Sequence, residues 1–221
     1  MKGLRLAALA CTVLMLVPAP ARAQMIKLGD VLVLTPSDGQ GADTATTLVQ
    51  ADRGNRKGQF YRVWTGSAAG APARPEKATE YRLLSPEKVG PLPEIDVLGI
   101  HYIKVLPERS QDFERFVAQT IHPAAANLRP DLRLLYYKAV SGAEAPGYIL
   151  LIALTRASRD KYWPNGADSD ELRTTFAPLK AHTKELSSYL VPGSALTDEK
   201  FAAAVYESRE WTDLVVVKPA R

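Results

Sequence analysis

Seven apolar residues in a row, Tyr148 to Leu154 (YILLIAL), constrain this chain more than any other stretch. A strand with one face in water alternates apolar and polar residues, whereas an unbroken run needs cover on both faces. Leaving about four of these side chains in water would cost about 1.5–3 kcal/mol each. The strand over 147–155 therefore belongs at the centre of a sheet with something packed on either side.

Its neighbours in sequence suggest what one of those layers is. Ile95 to Leu128 (IDVLGIHYIKVLPERSQDFERFVAQTIHPAAANL) begins with a strand over 97–105, stopped by Pro107, with Ser110 placed to cap a helix. Phe113, Phe116, Val117, Ile121, Ala125 and Leu128 recur at spacings of three and four, one helical face. Pro123 predicts a bend near His122. A second strand spans 132–140. Asp168 and Glu171 fit a capping box for a second long helix, with Leu172, Phe176, Leu179 and Leu186 on its face and a kink at Pro178. Residues 206–218 (YESREWTDLVVVK) form the closing strand. The order is βαββαβ, which predicts an α+β, ferredoxin-like sheet of order 4-1-3-2 with both helices on one face. The other face is expected to be covered by the same face of a second copy, giving a homodimer.

Residues 24–94 have little helical periodicity and few large apolar residues. Short strands are expected near Val31 to Leu34, Thr44 to Gln50, Gln59 to Thr65 and Glu80 to Leu84, with a small, proline-rich loop over 66–75. The expected organisation is a β-rich extension and linker over 24–94, followed by the main domain over 95–221. Tyr61 and Trp64 read as packing anchors.

Residues 1–23 read as a secretory signal. Lys2 and Arg5 precede an apolar core from Leu6 to Val17, and Ala21-Arg22-Ala23 forms a small-x-small site before Gln24. The core is too short to span a bilayer. A lipoprotein signal through Cys11 fits less well, because Ala8-Leu9-Ala10-Cys11 lacks leucine at its first position. Cleavage after Ala23 removes Lys2, Arg5 and Arg22, so basic residues fall from 28 to 25 against 24 acidic ones. No basic field remains to attract nucleic acid. Cys11 is the only cysteine, so the mature chain relies on packing rather than disulfides in the periplasm or outside the cell. No later run predicts a membrane span.

From Ile95 to Lys218 the chain resembles the dimeric α/β-barrel superfamily, which holds antibiotic-biosynthesis-monooxygenase-like and NIPSNAP-like domains. The resemblance rests on GIHYIKVLPERSQDFERFV, LKAHTKELSSYLVPGS and YESREWTDLVVV. It implies two sheets facing each other in a dimer, with a small-molecule cavity between each sheet and its helices. Members include cofactor-free oxygenases, heme-degrading enzymes and domains of unknown role, so the resemblance fixes little of the chemistry. In the heme-degrading members a histidine on the second helix binds iron, beside a preceding tryptophan and a first-strand asparagine. Here Trp163 and His182 resemble the first two. Their separation is longer than the family pattern, and the first strand has Ile100, His101 and Tyr102 in place of the asparagine. No cofactor is therefore expected, with heme as the alternative.

The candidate catalytic residues are His101, on the first strand, and His182, beside the apolar face of the second helix; either is a potential base. His122 reads as a surface or capping residue. Tyr102, Lys104, Trp163, Arg209 and Trp211 are the candidate ligand-binding residues, suited to a small apolar or aromatic molecule by stacking and charge-assisted hydrogen bonds. Tyr102 and Lys104 share one side of the first strand, and Arg209, Trp211 and Asp213 one side of the last. No pair of histidines has the close spacing of a metal site. Cofactor-free or heme-dependent oxygenation, and a structural role without ligand, are the alternatives to simple binding.

Overall fold

The computed structural model describes residues 25–41, 43–70, 76–89, 94–129, 131–191 and 210–217. The proposed signal, Cys11, the 71–75 loop and Arg209 lie outside them. Ten strands are described: β1 Ile26–Lys27, β2 Val31–Ser37, β3 Thr47–Gly54, β4 Phe60–Gly66, β5 Thr79–Leu83, β6 Glu94–Ile95, β7 Val97–Ile103, β8 Leu132–Ser141, β9 Tyr148–Leu154 and β10 Trp211–Val216. Five α-helices accompany them: α1 Ser110–Phe116, α2 His122–Ala126, α3 Arg156–Tyr162, α4 Asp170–Lys180 and α5 Thr183–Ser188.

Eight strands close into one barrel in the order β10-β3-β4-β2-β5-β8-β9-β7, with β7 pairing back to β10, every pair antiparallel. Closure leaves the barrel itself without a sheet edge. The α+β class expected from the sequence holds. The four C-terminal strands are neighbours in the order β10-β7-β9-β8, but they are half of a barrel wall and not a free-standing ferredoxin-like sheet. The other half is β2 to β5, joined at two seams, β3 to β10 and β5 to β8.

This closure explains the apolar run. Along β9, Ile149, Leu151 and Ala153 point into the barrel, while Tyr148, Leu150, Ile152 and Leu154 point outward under the helices. All seven are buried. The cover expected from a second copy comes instead from the chain's own β2 to β5, which contribute Leu32, Leu34, Val49, Ala51, Val63 and Leu83 to the interior. The uncovered face that motivated a homodimer is absent. An eight-stranded barrel is just wide enough for side chains to fill, and here they fill it. One end is closed by the β1–β6 ribbon, whose Ile26 and Ile95 join the interior, and by Tyr137, whose hydroxyl donates to the Gly29 carbonyl at 3.0 Å.

Proline is tolerated in β2 because Pro36 pairs with Tyr61 of β4 where β5 no longer runs alongside. In the helical layer, α1 passes into α2 through one π turn, with the His122 amide donating to Val117. That one-residue extension takes up the amide missing at Pro123. Ser110 is the first residue of α1 and not its cap. The second long helix starts one residue later than the capping box predicted: Ser169 caps α4 by accepting from the Leu172 amide at 3.1 Å. The chain breaks between α4 and α5 at Ala181 and His182, just past Pro178.

Candidate functional site

Two places combine a cavity with buried polar side chains, one on each face of β7. On the outer face, the antiparallel register sets His101 opposite Trp211 and Gly99 opposite Asp213. The rings of His101 and Trp211 lie nearly parallel, 15° apart with centroids at 6.2 Å. A Cβ on residue 99 would stand 3.3 Å from Asp213 Oδ1, so the glycine leaves the notch in which the carboxyl sits. Helix α3, capped by Thr155 accepting from the Ser158 amide, brings Arg159 and Trp163 over this notch. The Trp163 indole donates to Asp168 at 3.0 Å, and Arg159 pairs with Asp52 at 2.8 Å.

Val97, His101, Ile152, Arg159, Trp163 and Asp213 enclose about 10 Å³, room for roughly one water. His101 is 2 % exposed, and burial lowers its pKa to about 3, so the ring is neutral. Asp213 is 7 % exposed and its carboxyl accepts no hydrogen bond from a described residue. Burial raises it to about 6 against the opposing pull of Arg159 and Arg53.

On the inner face, the end of the barrel opposite the β1–β6 ribbon carries a polar cluster. Tyr61, Tyr81 and Tyr102 point into the lumen from β4, β5 and β7. Arg56, in the turn between β3 and β4, lies over the Tyr102 ring at 4.0 Å and pairs with Glu144 at 2.7 Å. The Tyr61 hydroxyl donates to Gln59 Oε1 at 2.6 Å. A cavity of about 350 Å³ opens here, lined by Tyr81, Tyr102, Lys104, Glu144, Tyr148 and Glu210 among others. That volume lies in the range of small-molecule sites. A wider groove of about 660 Å³ runs beside β1, but its polar side chains Lys27, Asp30, Thr47, Thr65 and Ser67 are exposed or half-buried.

The sequence-derived candidates therefore divide. His101, Trp163 and Trp211 gather on the outer face, and Tyr102 and Lys104 at the barrel mouth. His182 joins neither lining; it is half-buried at the α4–α5 break, edge-on to Phe116 at 6.4 Å. The reading of His122 as a surface residue is corrected. It is 1 % exposed, and its Nε2 accepts the Tyr136 amide at 3.1 Å, just past the end of the β5–β8 ladder. Burial lowers its pKa to about 4. Heme does not fit the residues that suggested it, because the pocket beside Trp163 has the volume of one water and excludes His182. Among the described residues no group of three or more potential ligands could hold a metal ion. Arg56, Tyr81, Glu144, Arg159 and Gly99 were not anticipated, because only the barrel closure brings them to these two places.

The molecule is thus an α+β protein built on a closed eight-stranded antiparallel barrel, helical on one flank, with a cavity at the mouth and a small polar pocket beneath α3. No family model matches the chain, and no curated protein matches it. Among solved structures it is similar to a proposed monooxygenase from Lactobacillus acidophilus NCFM, at 10% identity and a TM-score of 0.38, over 84% of this chain and 92% of that one. Likeness at that level carries no argument about activity. No helix among the described residues is long and apolar enough to cross a membrane.

Proposed function

We propose that this is an exported protein that binds a small, largely apolar or aromatic molecule at the mouth of its barrel. The observation that carries the reading is the cavity of about 350 Å³ whose lining includes the buried Tyr81 and Tyr102 together with Ile103, Val105 and Ile149. A concave lining that combines apolar side chains with a few polar groups suits a small-molecule site. Export rests on the Ala21-Arg22-Ala23 site, and the mature chain then begins at Gln24. Amide chemical-shift mapping with ethylbenzene tests the binding site. Shifts centred on Tyr81, Tyr102 and Tyr148, abolished by Ala143→Trp at the cavity wall, support it; shifts confined to Trp163 and His101 refute it.

A second reading, an enzyme using the outer pocket, is favoured by one observation. Asp213 is a buried carboxyl with no hydrogen bond from a described residue, raised to about 6, in the same pocket as the neutral His101. Groups so perturbed are suited to general acid–base work. In the enclosed form the pocket admits no substrate, so this reading requires α3 to lift.

A further inference from the structure

We infer that the ligand of the barrel mouth presents one neutral carbonyl oxygen to the hydroxyls of Tyr81 and Tyr102. The inference rests on the mouth being the binding site, and it names the chemistry that the site selects. Five tyrosines of the described chain bond their hydroxyls: Tyr61 to Gln59, Tyr137 to the Gly29 carbonyl, Tyr148 to Glu114, Tyr162 to Asp131 and Tyr189 to Glu185. Tyr81 and Tyr102 do not, although they are only 1 % and 9 % exposed. Tyr136 shares that lack but faces the helical layer, whereas Tyr81 and Tyr102 both line the cavity.

Neither phenol oxygen is sealed in the protein, since neither is among the described side-chain atoms that are buried without a hydrogen bond; both hydroxyls instead offer their protons to whatever occupies the cavity. The two phenols are close enough to interact electrostatically, and burial holds both well above the usual phenol range, so each keeps its proton. Two donors that line one cavity from β5 and β7 can meet the two lone pairs of a single oxygen. The charges around them say which kind of oxygen. Arg56 is already paired with Glu144, and of the two remaining charged side chains at the lining, Lys104 is basic and Glu210 acidic. Two positive and two negative groups leave no net charge to favour a carboxylate or an ammonium group, and either ion would lose part of its hydration on entering the cavity. A ketone, aldehyde, quinone or lactone on a body of about one ring meets all of these conditions.

The test is a matched series of acetophenone, benzoate and ethylbenzene, titrated into the full mature chain and followed by amide shifts at Tyr148 and Ile149. Tyr81→Phe and Tyr102→Phe are each expected to weaken acetophenone about tenfold, the usual effect of one lost hydrogen bond. Ethylbenzene should bind both variants within about twofold of wild type, which also shows that the variants fold. Acetophenone binding at the mouth unchanged by both substitutions would overturn the role of the phenols while leaving the binding site in place. Benzoate binding more tightly than acetophenone would overturn the neutral class. Failure of all three probes to perturb the mouth would overturn the binding reading itself, and this inference with it.

Discussion

Asp213 lies directly across the β7–β10 ladder from Gly99, and its Oδ1 stands 3.3 Å from the place where a Cβ at residue 99 would be. The carboxyl is buried because a side chain is missing opposite it. With no hydrogen-bond partner among the described residues, it is held by that notch and by the pull of Arg159 and Arg53.

Gly99→Val should therefore drive the carboxyl from its notch and cost about 1–3 kcal/mol of stability, the range for overpacking. In the double variant with Asp213→Ala much of that loss should return, since the main obstacle is gone. Urea unfolding of the four members of the cycle measures the coupling. Strict additivity would mean that Ile152, the other neighbour of the built Cβ, sets the cost.

Ionisation of Asp213 opposes folding as pH rises. Asp213 keeps its proton in the fold to about pH 6, while in the unfolded chain it loses it near 3.8. The folded state holds more protons across that window, so its contribution is present below 3.8 and lost as pH rises through about 6. Asp213→Asn should then be more stable than wild type by about 3 kcal/mol at pH about 7.5 and by little at pH about 4. An equal gain at both pH values would show that the carboxyl does not ionise.

The buried histidines act in the opposite direction. His101 and His122 are lowered from 6.5 to about 3 and about 4. Their stabilisation is complete above about pH 6.5 and is lost as pH falls towards those values, because only the unfolded chain protonates readily. His122→Leu leaves the Tyr136 amide buried without an acceptor, at about 1–3 kcal/mol. It should also flatten the acid limb of the stability profile. Thermal unfolding between pH about 4 and 7 checks both effects.

Closure within one chain predicts how the protein comes apart. A fragment holding residues 94–217 exposes Leu98, Ile100 and Ile149, which β2 to β5 cover in the whole chain, and should aggregate alone. Mixed with residues 25–89 it should refold into a one-to-one complex. Light scattering of the intact chain at micromolar concentration is expected to give the mass of a monomer. A stable dimer would point to a contact away from the barrel interior.

Much of the C-terminal half was legible because its signals are local. Apolar spacing on α1 and α4 and the run on β9 each lie within one stretch of sequence. The run also stated its own demand, cover on two faces, but not the source of the second cover. Strand β3 (TLVQADRG) buries only Val49 and Ala51 fully, too little to mark it as core. Its partner across the seam is remote, with Gly54 pairing Thr212. Nothing near either residue announces that contact. His122 failed for the same reason: preceding a proline suggested the surface, and only the end of the β5–β8 ladder makes its ring an acceptor. Alternation correctly placed Trp211 and Asp213 on one side of the last strand, but the notch at Gly99 depends on register with β7.

A barrel assembled from two identical copies must carry every pocket twice, related by the symmetry that joins the copies. Here the two halves are unlike stretches of one chain, so each feature occurs once and is free of its mirror. The ribbon can stopper one end while the other stays open to a ligand, and helices can shield one flank without a counterpart on the other. On the proposed reading, each chain offers a single site, so titration is expected to give one ligand per chain and a simple hyperbolic curve.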